Sequence, residues 1–354
     1  MNLYQVLSDA TEAALRLQKV DGSMPSGHNG PYFHDSTPIR NTGHWAITFL
    51  KAYKITQNNK FKDAAEKALN YIQNQKELYP GNFKYRTVEN RDSCNGVIGA
   101  AWTIEALLIA SDQLNNPKLE KLATDLYNLH LFDKEKGLWH RCDLDGTVLS
   151  IDWTFNHQLW FAAAASMFDA QRYPEIHNQV KVFIDRLDKN FAIYKDGLIW
   201  HYIASFPISL EGIKRLLISL KSRTIDNSKM RHKAIGYHHF NLCAFGIIKQ
   251  TYPDLPFWTS EKFQKALDFL NTTIYENGLQ KNKYGFDYNM AGIEVAYTYS
   301  CFIPNSLEKQ KYWVKKQFER HFDFSKSMMI QKTKDPETLN ARLYEACRLN
   351  DFTF

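Results

Sequence analysis

Six stretches of this chain begin with a polar patch that holds an asparagine and continue as an apolar helix. They open at Asn41, Asn95, Asn156, Asn241, Asn289 and Asn340. The third is the most extreme. Asp152-Trp153-Thr154-Phe155-Asn156-His157-Gln158-Leu159-Trp160-Phe161 runs on into four alanines at 162–165. A helix that is apolar all round is buried on every side. Only its polar start is left to meet water or a ligand. An aromatic residue stands four positions after Asn41, Asn156, Asn241 and Asn340, and the spacings between successive asparagines are 54, 61, 85, 48 and 51 residues. Self-similarity at such a period means a stack or ring of helical hairpins.

Amphipathic helices fall between the apolar ones. Residues 3–18 place Leu3, Val6, Leu7, Ala10, Ala14 and Leu17 on one face. Residues 60–76 do the same with Phe61, Ala64, Ala65, Ala68, Leu69 and Ile72, and carry Lys60, Lys62, Asp63, Glu66 and Lys67 on the other face. Another starts at Pro117 with Asn116 as its cap. Further outer helices fit around Ile176–Leu187, 260–275 and 306–321. Gly137-Leu138-Trp139-His140, Gly197-Leu198-Ile199-Trp200-His201 and Gly278-Leu279-Gln280-Lys281 read as short extended connectors after a helix-ending glycine. The pattern predicts an all-α fold of six inner and six outer helices, with residues 1–354 forming one domain. Residues 203–233 lengthen one period. Within them, 211–233 holds seven Lys or Arg against Glu211 and Asp226, an inserted basic segment able to attract an acidic ligand. The loop from Asp21 to Arg40 is the other long connector, and such loops often carry function.

Composition excludes several classes. No run of about 18 apolar residues predicts a membrane span. The start, Met1-Asn2-Leu3-Tyr4-Gln5, lacks the basic and apolar regions of a signal peptide. Five cysteines without paired spacing predict free thiols in a reducing compartment, and so a cytoplasmic protein. A net charge of +6 is too small to imply nucleic acid. No cofactor is implied. His238 and His239 are adjacent, so on a helix they point about 100° apart and do not suit one metal ion; no metal is expected.

Six alternating inner and outer helices resemble the (α/α)6 toroid of the six-hairpin glycosidase superfamily over nearly the whole chain. The resemblance implies a substrate cleft at one end of the barrel, lined by inner-helix starts and the loops before them. Asp92 and Asp152 near such starts resemble the aspartate positions of unsaturated glucuronyl hydrolases. Asn156-His157 ahead of an Ala-rich helix resembles the Asn-His helix of heparinase-type lyase toroids. The chain has no Cys-His dipeptide like the zinc site of lanthionine-synthetase-like toroids, and no Asp-rich motif like that of terpene cyclases.

The mouth so placed holds Arg40, Asn41, His44, Trp45, Asn95, Trp139, Asn156, Tyr237, His238, Tyr288 and Asn289. Planar amides, charged donors and aromatic faces suit a sugar's hydroxyls and C–H face. Each asparagine could instead cap its helix. Hydrolysis of a glycosidic bond uses two carboxylates, one protonated and one ionised. Asp152, Asp92 and Asp287 precede Asn156, Asn95 and Asn289 and supply a candidate pair. Trp153, Phe155, Trp160 and Phe161 should dry the surroundings of Asp152 and raise its pKa, as a general acid requires. The alternative is a helix-start carboxylate whose pKa is lowered by backbone donors. Glu105 and Glu294 fall inside buried helices and need partners. His157 is either a hydrogen-bonded core residue or a proton carrier.

The expected function is therefore a carbohydrate-active enzyme, a glycoside hydrolase acting on an acidic, uronic-acid-containing oligosaccharide or polysaccharide. The alternative is a polysaccharide lyase or uronate epimerase working through Asn156, His157, Tyr237 and Arg40. A non-catalytic glycan-binding toroid is the third reading.

Overall fold

A computed structural model describes residues 1–89, 91–205 and 228–354. Within them the six apolar stretches form an inner ring. Its helices are Ile39–Thr56, Ile98–Leu114, Phe155–Ala165, Ser228–Thr251, Ala291–Phe302, and Pro336–Ala341 continuing as a 3₁₀ helix, Arg342–Arg348. Each packs on the next, and the last packs back on the first. The outer layer is Leu3–Ala14, Asn59–Glu77, Pro117–Asn128, Pro174–Asp185, the pair Glu261–Phe269 and Thr273–Gln280, and Leu307–His321. This is the expected (α/α)6 toroid. The chain ends meet: Leu3 N–H donates to the Phe352 carbonyl at 3.0 Å, which ties the first outer helix to the C-terminus.

Composition decides which layer a helix joins. Asn59–Glu77 buries Phe61, Ala64, Ala65, Ala68, Leu69 and Ile72 and leaves its charged face to solvent. Each large apolar side chain of that stripe contributes about 1.5–3 kcal/mol on burial. Ile98–Leu114 and Phe155–Ala165 are buried on nearly all sides and can occupy only the inner ring. Among the described residues, no helix is long and apolar enough to cross a membrane.

Several local expectations change. The six asparagines are not N-caps. Asn41 donates to the carbonyls of Pro25 and Ser26, both at 2.8 Å. Asn289 donates to Gly236 O at 2.9 Å and Tyr284 O at 2.7 Å. Asn340 accepts from Met329 N–H at 2.6 Å. A primary amide gives and accepts hydrogen bonds together, so it can strap an irregular connector to the ring where a cap would serve one helix end alone. Gly278 lies inside the helix Thr273–Gln280 rather than in an extended connector. The Gly137 connector does become a strand. Phe132–Asp133, Leu138–Cys142 and Val148–Ile151 pair antiparallel in sequence order, with His140 opposite Ile151, and deliver the chain to Asp152. Residues 206–227 of the basic insertion lie outside the described residues.

The barrel axis carries buried charge. Arg342, Glu345 and Arg348 recur every third residue, and a 3₁₀ helix aligns such positions on one face. Arg342 Nη2 lies 2.5 Å from Glu294 Oε1 and 3.5 Å from Glu345 Oε1. Arg348 binds Glu345 and Glu105. Three carboxyls thus share two guanidinium groups. Burial pushes the Glu294 and Glu105 carboxyls up, and the arginines only partly offset it. Removing one partner of a buried pair strands the other charge and costs about 3–5 kcal/mol. Arg342→Met should therefore lower the unfolding free energy by about that much, whereas Glu294→Gln, which mimics a neutral carboxyl, should cost far less. Chemical denaturation of both variants checks this; equal losses would contradict it.

Candidate active site

Inner-helix starts and their loops enclose a cavity of about 350 Å³, within the size range of small-molecule sites. Asp92, Asp152, His157, Asn95, Asn156, Tyr237, Tyr288 and Asn289 all border it.

The Asn95-Gly96 turn organises this site. Both residues are left-handed, at φ 56° and 66°. The turn aims successive backbone N–H groups at two carboxylates just before the helix Ile98–Leu114. Gly96 N–H donates to Asp92 Oδ1 at 2.8 Å, and Val97 N–H donates to Asp152 Oδ2 at 3.1 Å. A helix N-terminus favours negative charge at that place. Asp92 Oδ2 also receives Arg86 at 3.2 Å and Arg141 at 3.0 Å.

Asp152 is 6% exposed. Its Oδ2 lies 2.7 Å from His157 Nδ1, and its Oδ1 accepts from Thr154 N–H at 3.0 Å. Burial pushes its carboxyl up, as the aromatic surroundings led us to expect. His157 and the N–H groups of Thr154 and Val97 outweigh burial and bring it down to about 2. The expectation of a raised pKa is overturned: Asp152 is a standing carboxylate. It holds the Nδ1–H tautomer of His157 and leaves Nε2 as the basic nitrogen.

Sequence analysis places other residues here that the fold uses elsewhere. Asp287 binds Arg320 at 2.8 Å and approaches His321 at 3.4 Å, outside the cavity lining. Arg40 is buried behind the lining, donating to Asn29 Oδ1 at 2.7 Å and Thr338 Oγ1 at 3.0 Å. Asn41 straps the loop. His44 stacks on Tyr344 at 4.0 Å between rings. Trp45 and Trp139 are core, and Trp139 Nε1 donates to Tyr127 Oη at 3.1 Å. His238 accepts from Ile199 N–H at 3.2 Å and donates to Ala266 O at 2.9 Å, and burial drives it down to about 3. Arg40, Asn41, His44 and Trp45 do lie in the first two turns of Ile39–Thr56, but a helix turns about 100° per residue, so most positions near a start face neighbouring helices.

Sequence reading missed several lining residues, Arg86, Arg91, Arg141, His201 and Arg342, and had Lys233 only as part of the basic segment 211–233. His201 closes the Gly197 connector, so its position was legible as a repeat; its role was not. It is buried, its Nδ1 has no hydrogen-bond partner among the described residues, and burial holds it well below the usual imidazole range. The described lining carries five cationic side chains, Arg86, Arg91, Arg141, Lys233 and Arg342, against two carboxylates, Asp92 and Asp152.

This ring of helical hairpins with a cavity at the inner-helix starts is the fold of the six-hairpin glycosidase proteins. A D-mannose isomerase superposes with a TM-score of 0.65 at 14% identity, over 97% of this chain and 96% of that one. An unsaturated glucuronyl hydrolase specific for heparin gives 0.65 at 12% identity, over 98% and 95%. No family model matches the sequence. Archaeal glycosylation protein Q of Haloferax volcanii is 35% identical over 364 aligned positions, spanning 99% of this chain and 98% of that protein. The chain belongs to the archaeal glycosylation protein Q family.

The turn at Gly96 is open to a direct test. A Cβ there would lie 2.0 Å from Asp152 Oδ2 and 2.7 Å from His157 Nδ1. Gly146 is also left-handed, at φ 91°, yet a Cβ there meets nothing closer than 3.9 Å. Gly146→Ala should cost only the left-handed backbone penalty, about 1–2 kcal/mol. Gly96→Ala should cost clearly more. Thermal unfolding of the two variants measures the difference; equal losses would show that Gly96 does not hold the pair together.

Proposed function

We propose that the chain is a carbohydrate-active enzyme that moves a proton on an acidic sugar unit, with His157 as the acid–base group and Asp152 as its positioning partner. The observation that carries this reading is the 2.7 Å Asp152–His157 contact inside a cation-rich cavity. Neither carboxylate of the lining is placed as a general acid: Asp152 is held down at about 2, and Asp92 accepts from two guanidinium groups and a backbone N–H. Hydrolysis by the usual carboxylate pair wants one of them protonated. A histidine base needs no such proton.

His157 Nε2 would take a proton from the carbon next to a sugar carboxylate or carbonyl. The cationic lining would stabilise the negative charge that develops on oxygen. Return of the proton to the opposite face gives an epimer, delivery to a neighbouring carbon gives an isomer, and loss of a β-substituent gives elimination. Aromatic lining from Trp102, Trp153, Tyr202 and Tyr288 suits the C–H face of a sugar ring. The name of the relative, a glycosylation protein, supports a glycan substrate. Glycoside hydrolysis is the second reading, favoured by the fact that Asp92 and Asp152 border one cavity and are bridged by consecutive N–H groups.

The test is incubation in D₂O with oligosaccharides containing glucuronic or galacturonic acid. Proton transfer at carbon should place deuterium in the sugar, and His157→Gln should slow this by about 10²-fold or more while folding is retained. New reducing ends without carbon-bound deuterium would overturn the reading in favour of hydrolysis.

A further inference from the structure

Three of the five cations of the described lining are paired with carboxylates, and two are not. Arg86 and Arg141 share Asp92. Arg342 is spent on Glu294 and Glu345. Arg91 is exposed and Lys233 half-buried, and neither has a carboxylate partner among the described residues. Of these two, only Lys233 is drawn well into the wall. It stands on the fourth inner helix, Ser228–Thr251, with its ammonium 5.5 Å from the centre of the Tyr32 ring and 5.7 Å from that of Tyr237. Those two phenols hydrogen-bond each other at 2.7 Å. Tyr237 in turn lies 5.2 Å, ring to ring, from His201. Lys233 is thus linked through Tyr237 to the same wall as His201, in the cavity that holds His157.

A half-buried ammonium against aromatic faces, with no carboxylate partner among the described residues, leaves part of its hydration unreplaced. We propose that Lys233, with Arg91 beside it, is the seat for the anionic group of the sugar, a carboxylate or a phosphate. The inference rests on the reading that this cavity takes a sugar and goes beyond it by naming the residues that select an acidic one. Arg86 and Arg141 are then scaffolding for Asp92. Burial and the neighbouring Arg91 draw Lys233 down to about 8. The seat should therefore be charged at neutral pH and lose its charge as pH rises through that value. A bound anion would shift the change upward, since an opposite charge favours the ammonium.

Direct binding by calorimetry tests this without any turnover, using the full chain with glucuronate, glucose 6-phosphate and glucose as probes. At pH 7 one of the two anionic sugars should bind more tightly than glucose, and Lys233→Met should remove about 10- to 100-fold of that preference. Lys233→Arg, which does not titrate in this range, should keep the preference and flatten its loss at high pH. Tighter binding of glucuronate identifies the anion as a carboxylate, and of glucose 6-phosphate as a phosphate. Equal binding of all three by the unaltered protein, or an undiminished preference in a folded Lys233→Met, would overturn the proposal. Anion selectivity that survives while no deuterium is exchanged would leave the seat standing and remove the proton-transfer chemistry.

Discussion

The ring depends on charge buried along its axis. Arg342 and Arg348 come from the last inner segment, Glu294 from the fifth inner helix and Glu105 from the second. These contacts hold the closing element of the toroid to helices that precede it by many tens of residues. Ionic groups taken out of water are costly unless each finds its partner, so the closing segment has few alternative positions. The same Arg342 borders the cavity. Arg342 therefore takes part both in closing the barrel and in lining one wall of the site.

Above that axis the site is built from a competition. Burial alone would neutralise Asp152. Two backbone N–H groups and His157 reverse the outcome, and the Asn95-Gly96 turn delivers one of those donors from the start of the neighbouring inner helix. Asp92, two guanidinium groups and the Gly96 N–H form the matching arrangement next to it. Both carboxylates are thus consumed in holding other groups. What remains in the described lining is an imidazole held by Asp152 and an excess of positive charge, and it is on these that the proposed proton transfer on an acidic sugar rests.

The long loop before the first inner helix shows how irregular backbone becomes part of a rigid site. Asp335 accepts from His28 N–H at 3.1 Å and Gly30 N–H at 2.6 Å, and Asn41 holds Pro25 and Ser26. Tyr288 packs against Gly30, where any side chain would collide with its ring, and donates to Asn29 at 2.7 Å. Tyr32 and His34 are thereby presented to the cavity. Strapping by amides and a carboxylate substitutes for the regular hydrogen bonds that a loop lacks.

The amino-acid sequence by itself determined the layers. Apolar content on all sides sends Ile98–Leu114 and Phe155–Ala165 inward, and the striped pattern of Asn59–Glu77 sends it outward; both follow from local periodicity. It also brought Asp92, Asp152, His157, Asn95, Asn156, Tyr237, Tyr288 and Asn289 toward one place, because inner-helix starts share an end of the barrel. Only the tertiary structure decided what those residues do. The sign of the Asp152 shift depends on a donor from residue 97, and the turn that aims it. The exclusion of Asp287 and His238 from the lining depends on the rotation of their segments about the ring. Arg86 and Arg141 carry no signal in the sequence, and Lys233 showed only as one charge of the basic segment 211–233, since long cationic side chains on loops and helix ends are ordinary surface features until a fold turns them inward. Proximity across many tens of residues is a property of packing, and packing is where local pattern stops being informative.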